Sequence, residues 1–361
     1  MPSVKFRRAM EAADRIADAS PPWDDILTTA RDLIGADSGS LIMMDGAGQL
    51  LNITHVDMSG QALDEYVRHF HKVDFMAEAA SRLAAGAWID SNDVMPLLKS
   101  RQAEFHADYM RKHGQAQSLA LILERDSERR TGLTFQRSTV AANATDRLTE
   151  GEAGAYVRHF RKVLSTRRRA MANKVQLLED SFAALGEATC LLSASGLVLH
   201  ASALAHELLD NRQGLCIRQG RLYHAEPAVL ARLLGKLQDA LRTGQRMAAT
   251  VALDWGKTLG IDMVPADAQV KLSDEPLALV RLRVSSAFNE VSIDDLICTF
   301  KITAAEARVL AALMAGHTPA QFAAQNGLSE NTVRTHITNL KGKMNCRRVV
   351  ELVKLATLVQ R

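Results

Sequence analysis

From residue 303 to the C-terminus the apolar residues recur at helical spacing, broken by short polar stops. In "GLSENTVRTHITNLKGKM" (327–344), Val333, Ile337, Leu340 and Met344 step by four, three and four, one stripe of an α-helix. The opposite face holds Asn331, Thr335, Thr338 and Gly342, flanked by Arg334 and Asn339. A face exposed only to water would carry more Glu and Lys. Upstream, "TAAE" (303–306) has the spacing of a capping box before Val309, Leu310 and Leu313, and Gly316 is placed to stop that helix. Thr318 and Pro319 then suit an N-cap and a first helical residue, with Phe322 and Ala323 inward. Asn326-Gly327 makes a tight turn and Ser329 caps the next helix. A last helix after "NCRR" puts Val349, Leu352, Val353, Ala356 and Val359 on one side.

The rest of the chain mixes both periodicities. A helix through Trp23, Ile26, Leu27 and Leu33 precedes a hairpin across Gly46 and Gly48. Helices are predicted over 61–84 and 96–113, and "SLALILE" and "GLTFQRS" form a hairpin across 126–130. One long helix is predicted from Leu148 to Leu185, with near-heptad apolar steps at Val157, Phe160, Leu164, Met171, Val175, Leu178, Phe182 and Leu185. The spacing fits a signalling coiled coil interrupted at Arg167, with "RRR" (167–169) as a solvated face. Two short strands follow around Ser195-Gly196, then a helix, a second Gly turn in "GLCIRQGRLYH", and a helix Glu226–Arg242. Strand-like runs cover Met247–Leu253, Leu259–Val264 and Leu277–Val284.

Length and charge refine this picture. At 361 residues the chain is too long for one ordinary core, and 47% hydrophobic with 24% charged residues is usual for a globular protein. No run of 18 apolar residues suggests a membrane span, and the first residues lack the apolar core of a secretion signal. Cys190, Cys216, Cys298 and Cys346 form no CxxC pair, which suits a reducing cytoplasm. Net charge is +3, yet residues 301–361 alone carry +6, leaving −3 for the remainder. A basic module on a mildly acidic body is the footprint of a nucleic-acid binder.

Two short helices joined by a Gly turn form a helix-turn-helix, whose second helix enters the major groove of double-stranded DNA. Arg334 can then reach guanine or phosphate, Thr335 and Thr338 base edges, Asn339 adenine or phosphate, with Asn331 on the same face. Thr332, Lys341, Lys343, Arg347 and Arg348 suit phosphates, and His336 suits packing. The stretch "ITAAEARVLAALMAGHTPAQFAAQNGLSENTVRTHITNLKGKMNCRR" resembles the LuxR/GerE family of bacterial transcription regulators. The T-x-x-E-x-x-V-L opening, S-x-N-T-V-R-T-H and the K-x-K-M close carry the resemblance. Pro319, Ala320 and Gln321 depart from that family's usual Asn-Lys-Glu. The resemblance implies a homodimer through the 349–359 face, and RNA polymerase as a further partner.

The expected fold is therefore α+β and multidomain. Residues 1–147 resemble a GAF-like α/β/α sensor, 148–180 a connecting helix, 181–290 a PAS-like domain, and 291–361 a four-helix LuxR-type helix-turn-helix. Tyr66, Phe70, Asp74, Phe75, Trp88, Phe105 and Tyr109 concentrate aromatic and polar groups in the first domain. They fill a core, or Tyr66, Asp74, Trp88 and Tyr109 line a pocket for a small-molecule effector. His69 and His71 point to different helix faces, and Cys216 reads as a core thiol, so no metal or cofactor is expected. No P-loop, nucleophile elbow or HExxH suggests an enzyme. Two functions remain: a DNA-binding regulator of the bacterial cytoplasm, or a module that antagonises another transcription factor without touching DNA.

Overall fold

The computed structural model describes residues 2–95, 103–125, 129–210, 214–253, 257–286 and 292–359. By contact density the chain forms two units: Met1–Ala249 with Ile261–Arg283, and Thr250–Gly260 with Val284–Arg361.

Among the described residues, two five-stranded sheets organise the chain before residue 287. One contains β1 (Ser38–Asp45), β2 (Leu50–Val56), β3 (Trp88–Asp90), β4 (Gln117–Arg125) and β5 (Arg129–Arg137), in the order β2-β1-β5-β4-β3. The other contains β6 (Ala188–Ser193) and β7 (Val198–Ala201); a small hairpin of β8 (Cys216–Arg218) and β9 (Arg221–Tyr223) intervenes before β10 (Met247–Ala252), β11 (Lys257–Pro265) and β12 (Leu277–Ser286). The second sheet's order is β10-β11-β12-β6-β7. Counted within each module, both sheets read second, first, fifth, fourth, third. The two modules share one topology although their sequences show no repeat.

Helices sandwich the first sheet. On one face lie Val4–Asp14, Trp23–Ile34 and the start of a 33-residue helix, Gly151–Ala183. Their side chains join Leu41, Met43, Leu119, Leu121, Leu133 and Phe135 in a single core. The first of these helices was not evident from hydropathy, because its buried stripe is Ala9, Ala12 and Ala13. Alanines bury well at close helix approach but carry a weak apolar signal. The other face is covered by Gly60–Arg68, a 3-10 turn Phe70–Lys72, Phe75–Ala80 and a π-helical turn Phe105–Met110. The single helix expected over 61–84 is thus broken, since Asp74 starts a new helix by capping Met76 and Ala77. Within the helix expected over 96–113, residues 96–102 lie outside the described residues, as does 126–128 in the expected 126–130 turn.

The long helix departs from a coiled coil. Tyr156, Val157, Phe160 and Leu164 are buried in the first module's own core, so three of the eight stripe positions, Val157, Phe160 and Leu164, are unavailable to a partner helix. Val175 and Leu178 lie against the second sheet, beside Leu191, Val270 and Leu277. Leu177 and Leu185 remain exposed. Arg167, expected in a solvated run, is 5% exposed. Its guanidinium donates to Ile16 O (3.4 Å), Asp18 O (2.6 Å), Ala268 O (3.1 Å), Lys271 O (2.7 Å) and Leu272 O (3.2 Å). These carbonyls lie in or beside two 3-10 turns, Arg15–Ala17 and Ala268–Val270, whose chain ends leave main-chain acceptors spare. Arg168 pairs with Glu124 at 2.8 Å, and only Arg169 of the three is exposed.

Replacing Arg167 therefore leaves several buried carbonyls without donors. Arg167→Ala is expected to destabilise the first unit by about 3 kcal/mol or more, whereas Arg169→Ala changes it by less than about 0.5 kcal/mol. Urea unfolding checks the contrast; equal midpoint shifts for the two variants would refute it.

Candidate DNA-reading helix and sensory cavity

In the second unit, among the described residues, five helices enclose one core: Ile293–Phe300, Ala304–Met314, Pro319–Gln325, Glu330–Lys343 and Val349–Ala356. The first was not anticipated; its Leu296 is fully buried beside Leu310 and Leu352. Local chemistry sets the others. Thr303 and Glu306 form a capping box, and so do Thr318 and Gln321. Gln321, a departure from the family's usual residue, thus performs an N3 glutamate's task, accepting from the Thr318 amide at 2.8 Å. Gly316 and Gly327 supply the left-handed turns, with φ of 84° and 65°.

The helix Glu330–Lys343 stands on Val333, Ile337, Leu340 and, just beyond it, Met344, all buried. Asn331, Thr332, Arg334, Thr335, Thr338 and Asn339 are exposed together on its outer side. Ser329 caps its start by accepting from the Thr332 amide. The Thr335 and Thr338 hydroxyls donate to Asn331 O and Arg334 O, each at 3.0 Å. With their donors engaged on the helix, these hydroxyls face outward as acceptors. Arg334 pairs with Glu330 at 2.7 Å, an exposed pair worth at most about 1 kcal/mol and so easily exchanged for another anion. His336 is half-buried, its Nδ1 without a hydrogen-bond partner among the described residues.

The two lysines differ. Lys341 is half-buried, while Lys343 binds the buried Glu306 at 2.7 Å. Lys343, expected on phosphate, is thus engaged in joining two helices from a partner 37 residues away. Burial would raise the Glu306 carboxyl, but the Lys343 ammonium and the Thr303 amide and hydroxyl hold it below the ordinary 4.5. Gly342 is the remaining feature of this face. A Cβ built there meets nothing within 4 Å among the described residues. Packing within the chain therefore does not require glycine, although glycine weakens a helix by about 0.5–1 kcal/mol.

The first module holds the second candidate site. Tyr66, Tyr109, Phe70, Phe75 and Phe105 pack together on the sheet face opposite the long helix, with Tyr66 and Tyr109 ring centroids 5.8 Å apart. Asp74 Oδ2 accepts from the Tyr66 hydroxyl at 2.8 Å, and Oδ1 from the Met76 amide at 2.8 Å. Burial raises the Asp74 carboxyl, partly offset by those donors, and burial likewise raises the Tyr66 and Tyr109 hydroxyls. Tyr66 and Asp74 line a cavity of about 70 Å³ with Ile42, Met44, Ala120 and Gly132. It adjoins an open polar groove of about 510 Å³ that shares Met44, Asp74, Ala77 and Arg130. Tyr109 stands behind Tyr66. Trp88 is elsewhere: it pairs with Leu121 across the sheet and packs on Phe135, 6.3 Å between ring centroids, in the core under the long helix. A strand-length segment had not been expected at 88–90, and the alternation of a strand, not proximity in sequence, decides Trp88's face. His69 pairs with Glu104, and His71 is buried beneath the Tyr66 carbonyl.

Residues 301–356 match the family described as "Bacterial regulatory proteins, luxR family", so the C-terminal segment is a LuxR-type helix-turn-helix domain. Three solved structures are similar in chain trace. The VqsR LBD domain from Pseudomonas aeruginosa shares 13% identity over 45% of this chain and 94% of that one, at a TM-score of 0.35. The VqmA dimer from Vibrio cholerae, described among LuxR-type receptors, shares 19% identity over 52% and 86%, at 0.24. SdiA from Escherichia coli shares 13% identity over 98% and 95%, at 0.34. No curated protein matches the chain in sequence. Among the described residues no helix is long and apolar enough to cross a membrane.

Two outcomes are expected at the reading helix. Because the Glu306 carboxyl is held below its unfolded value, its contribution to stability is present above pH 4.5 and is lost as pH falls through the folded value. Glu306→Gln should therefore flatten the acid limb of domain stability, measured by urea unfolding along a pH series; an unchanged limb would contradict this. Gly342→Ala should stabilise the domain by about 0.5–1 kcal/mol while weakening its hold on DNA. A variant more stable and equally tight in a DNA-shift titration would remove the argument from Gly342.

Proposed function

We propose that the protein is a dimeric, sequence-specific, DNA-binding transcription regulator of the bacterial cytoplasm, controlled by a signal at its two N-terminal modules. The observation that carries this reading is the outer face of Glu330–Lys343: exposed Asn331, Arg334, Thr335, Thr338 and Asn339 on a LuxR-type scaffold, closed by a glycine the chain itself does not need. The excess of +6 over residues 301–361 supports it, since phosphate contacts dominate affinity for DNA. Thr335 and Thr338, facing outward as acceptors, suit the amino groups of adenine or cytosine in the major groove. Lys341 and Thr332 serve phosphates. Lys343 contributes mainly by fixing the helix through Glu306.

The shared strand order of the two modules supports reading them as GAF-like and PAS-like sensory domains. In the first, a small-molecule effector would meet Asp74 and Tyr66 where the apolar cavity opens into the polar groove. Trp88 would support the sheet from behind, and Tyr109 would buttress Tyr66. Dimer contacts fall to the 349–359 face, where Val350 is exposed and Val353 half-buried, and to the outer residues Leu177 and Leu185 of the long helix. Val359 lies outside the side chains described.

Selection from a random DNA pool tests the reading. A preferred site should emerge with two half-sites. On that site Thr338→Ala costs about 1–3 kcal/mol and relaxes one base position. Lys341→Ala weakens all sequences alike and lowers the salt slope by about one unit. Failure to enrich any sequence would leave the regulator without DNA of its own and favour antagonism of another transcription factor.

A further inference from the structure

Three consecutive residues of β1 divide their side chains between the cavity and the second module. Met44 lines the cavity. Met43, on the opposite face, receives the Ser273 hydroxyl on its Sδ at 3.8 Å. The same Ser273 hydroxyl accepts from Asn52 Nδ2 at 3.0 Å, and Asn52 is the cross-strand partner of Met43. Asp45 is 2% exposed and receives Arg221 at 2.5 Å. Its other oxygen holds the β1–β2 turn through the Ala47 and Gln49 amides. Arg221 also reaches Ser195 in the β6–β7 turn, at 3.0 Å. Met43 and Asp45 thus each touch the second module, and the residue between them touches the cavity.

The parts differ in stiffness. The β1–β2 register shifts between Met43 and Met44, so the strand is irregular at the point where the two sides meet. The connection between β11 and β12 is braced. Leu272 is 3% exposed inside the first module's core. The buried Glu275 carboxylate accepts from the Leu272 and Ser273 amides at 3.0 and 2.8 Å. Arg167 fixes three carbonyls of the same connection, those of Ala268, Lys271 and Leu272. An irregular strand against a braced loop passes displacement on, because a close-packed interior has no slack to absorb it.

We propose that residues 43–45 form a mechanical link, in which filling the cavity shifts the second module through Met43–Ser273 and Asp45–Arg221. Only the name of the cavity's natural occupant rests on the sensory reading above; the link does not. Ala120 and Ala80 line the cavity from two sides, so a larger side chain at either stands in for an occupant. In the full chain, Ala120→Leu should change amide hydrogen exchange over residues 266–275 and 221–223 by about tenfold or more. The change should vanish when Arg221→Met and Ser273→Ala are added. If Ala120→Leu does not fold, Ala80→Val decides by the same readout. Exchange altered around 66–80 and 120–134 but unchanged at 266–275 would overturn the link, as would a response that survives Arg221→Met with Ser273→Ala. The sensory reading fails separately, if no small molecule added to the wild type alters its affinity for the selected DNA.

Discussion

A guanidinium cannot be buried without donors finding acceptors, and Arg167 meets that demand wholly with main-chain carbonyls. The carbonyls come from segments more than 100 residues away on either side, the N-terminal arm at Ile16 and Asp18 and the connection at 268–272. No one of those segments could satisfy it alone. The long helix, the first helices and the β11–β12 connection are therefore held at one point. Much else in the first unit follows from that meeting: Leu272 can enter the first module's core, Ser273 can reach Met43 and Asn52, and Glu275 can be buried against its own loop's amides. Charge here acts as an organiser of chain geometry more than as an ion pair.

The helix-turn-helix is built on the opposite plan. Its helices begin with side chains that satisfy amides three residues on: Thr303, Thr318 and Ser329. Its turns are set by Gly316 and Gly327. The long-range element is Glu306–Lys343, which ties the start of one helix to the end of the reading helix and so orients the exposed face. Such a domain can present a rigid polar surface while contributing few side chains to anything else.

The two modules of the first unit share a strand order but differ in what the corresponding space contains. Between sheet and helices the first holds Asp74, Tyr66 and Arg130 around a cavity. The equivalent space in the second is lined by leucines, Met263 and Cys190, whose thiol burial pushes up to about 12. One topology therefore carries a polar anchor in one module and an apolar core in the other.

Elements whose causes lie within a few residues were legible in the chain's own pattern. The capping box at Thr303 and Glu306, the glycine stops and the four-three-four stripe through Val333, Ile337, Leu340 and Met344 placed the last four helices, but not Ile293–Phe300, and the composition of the face opposite that stripe. The strands of both sheets were legible for the same reason, apart from β3, which is three residues long. Environments supplied from far along the chain were not legible in it. A run of three arginines carries no sign that five carbonyls will enclose the first of them. Lys343 carries no sign that Glu306 will claim it. An aromatic cluster in sequence does not reveal that a short strand turns Trp88 away from Tyr66 and Asp74. The alanine stripe of the first helix becomes a core only when Tyr156, Phe160 and Trp23 are brought against it. Periodicity reports which residues avoid water; it does not report which partners arrive, because those contacts are closed by chain segments that local sequence does not contain.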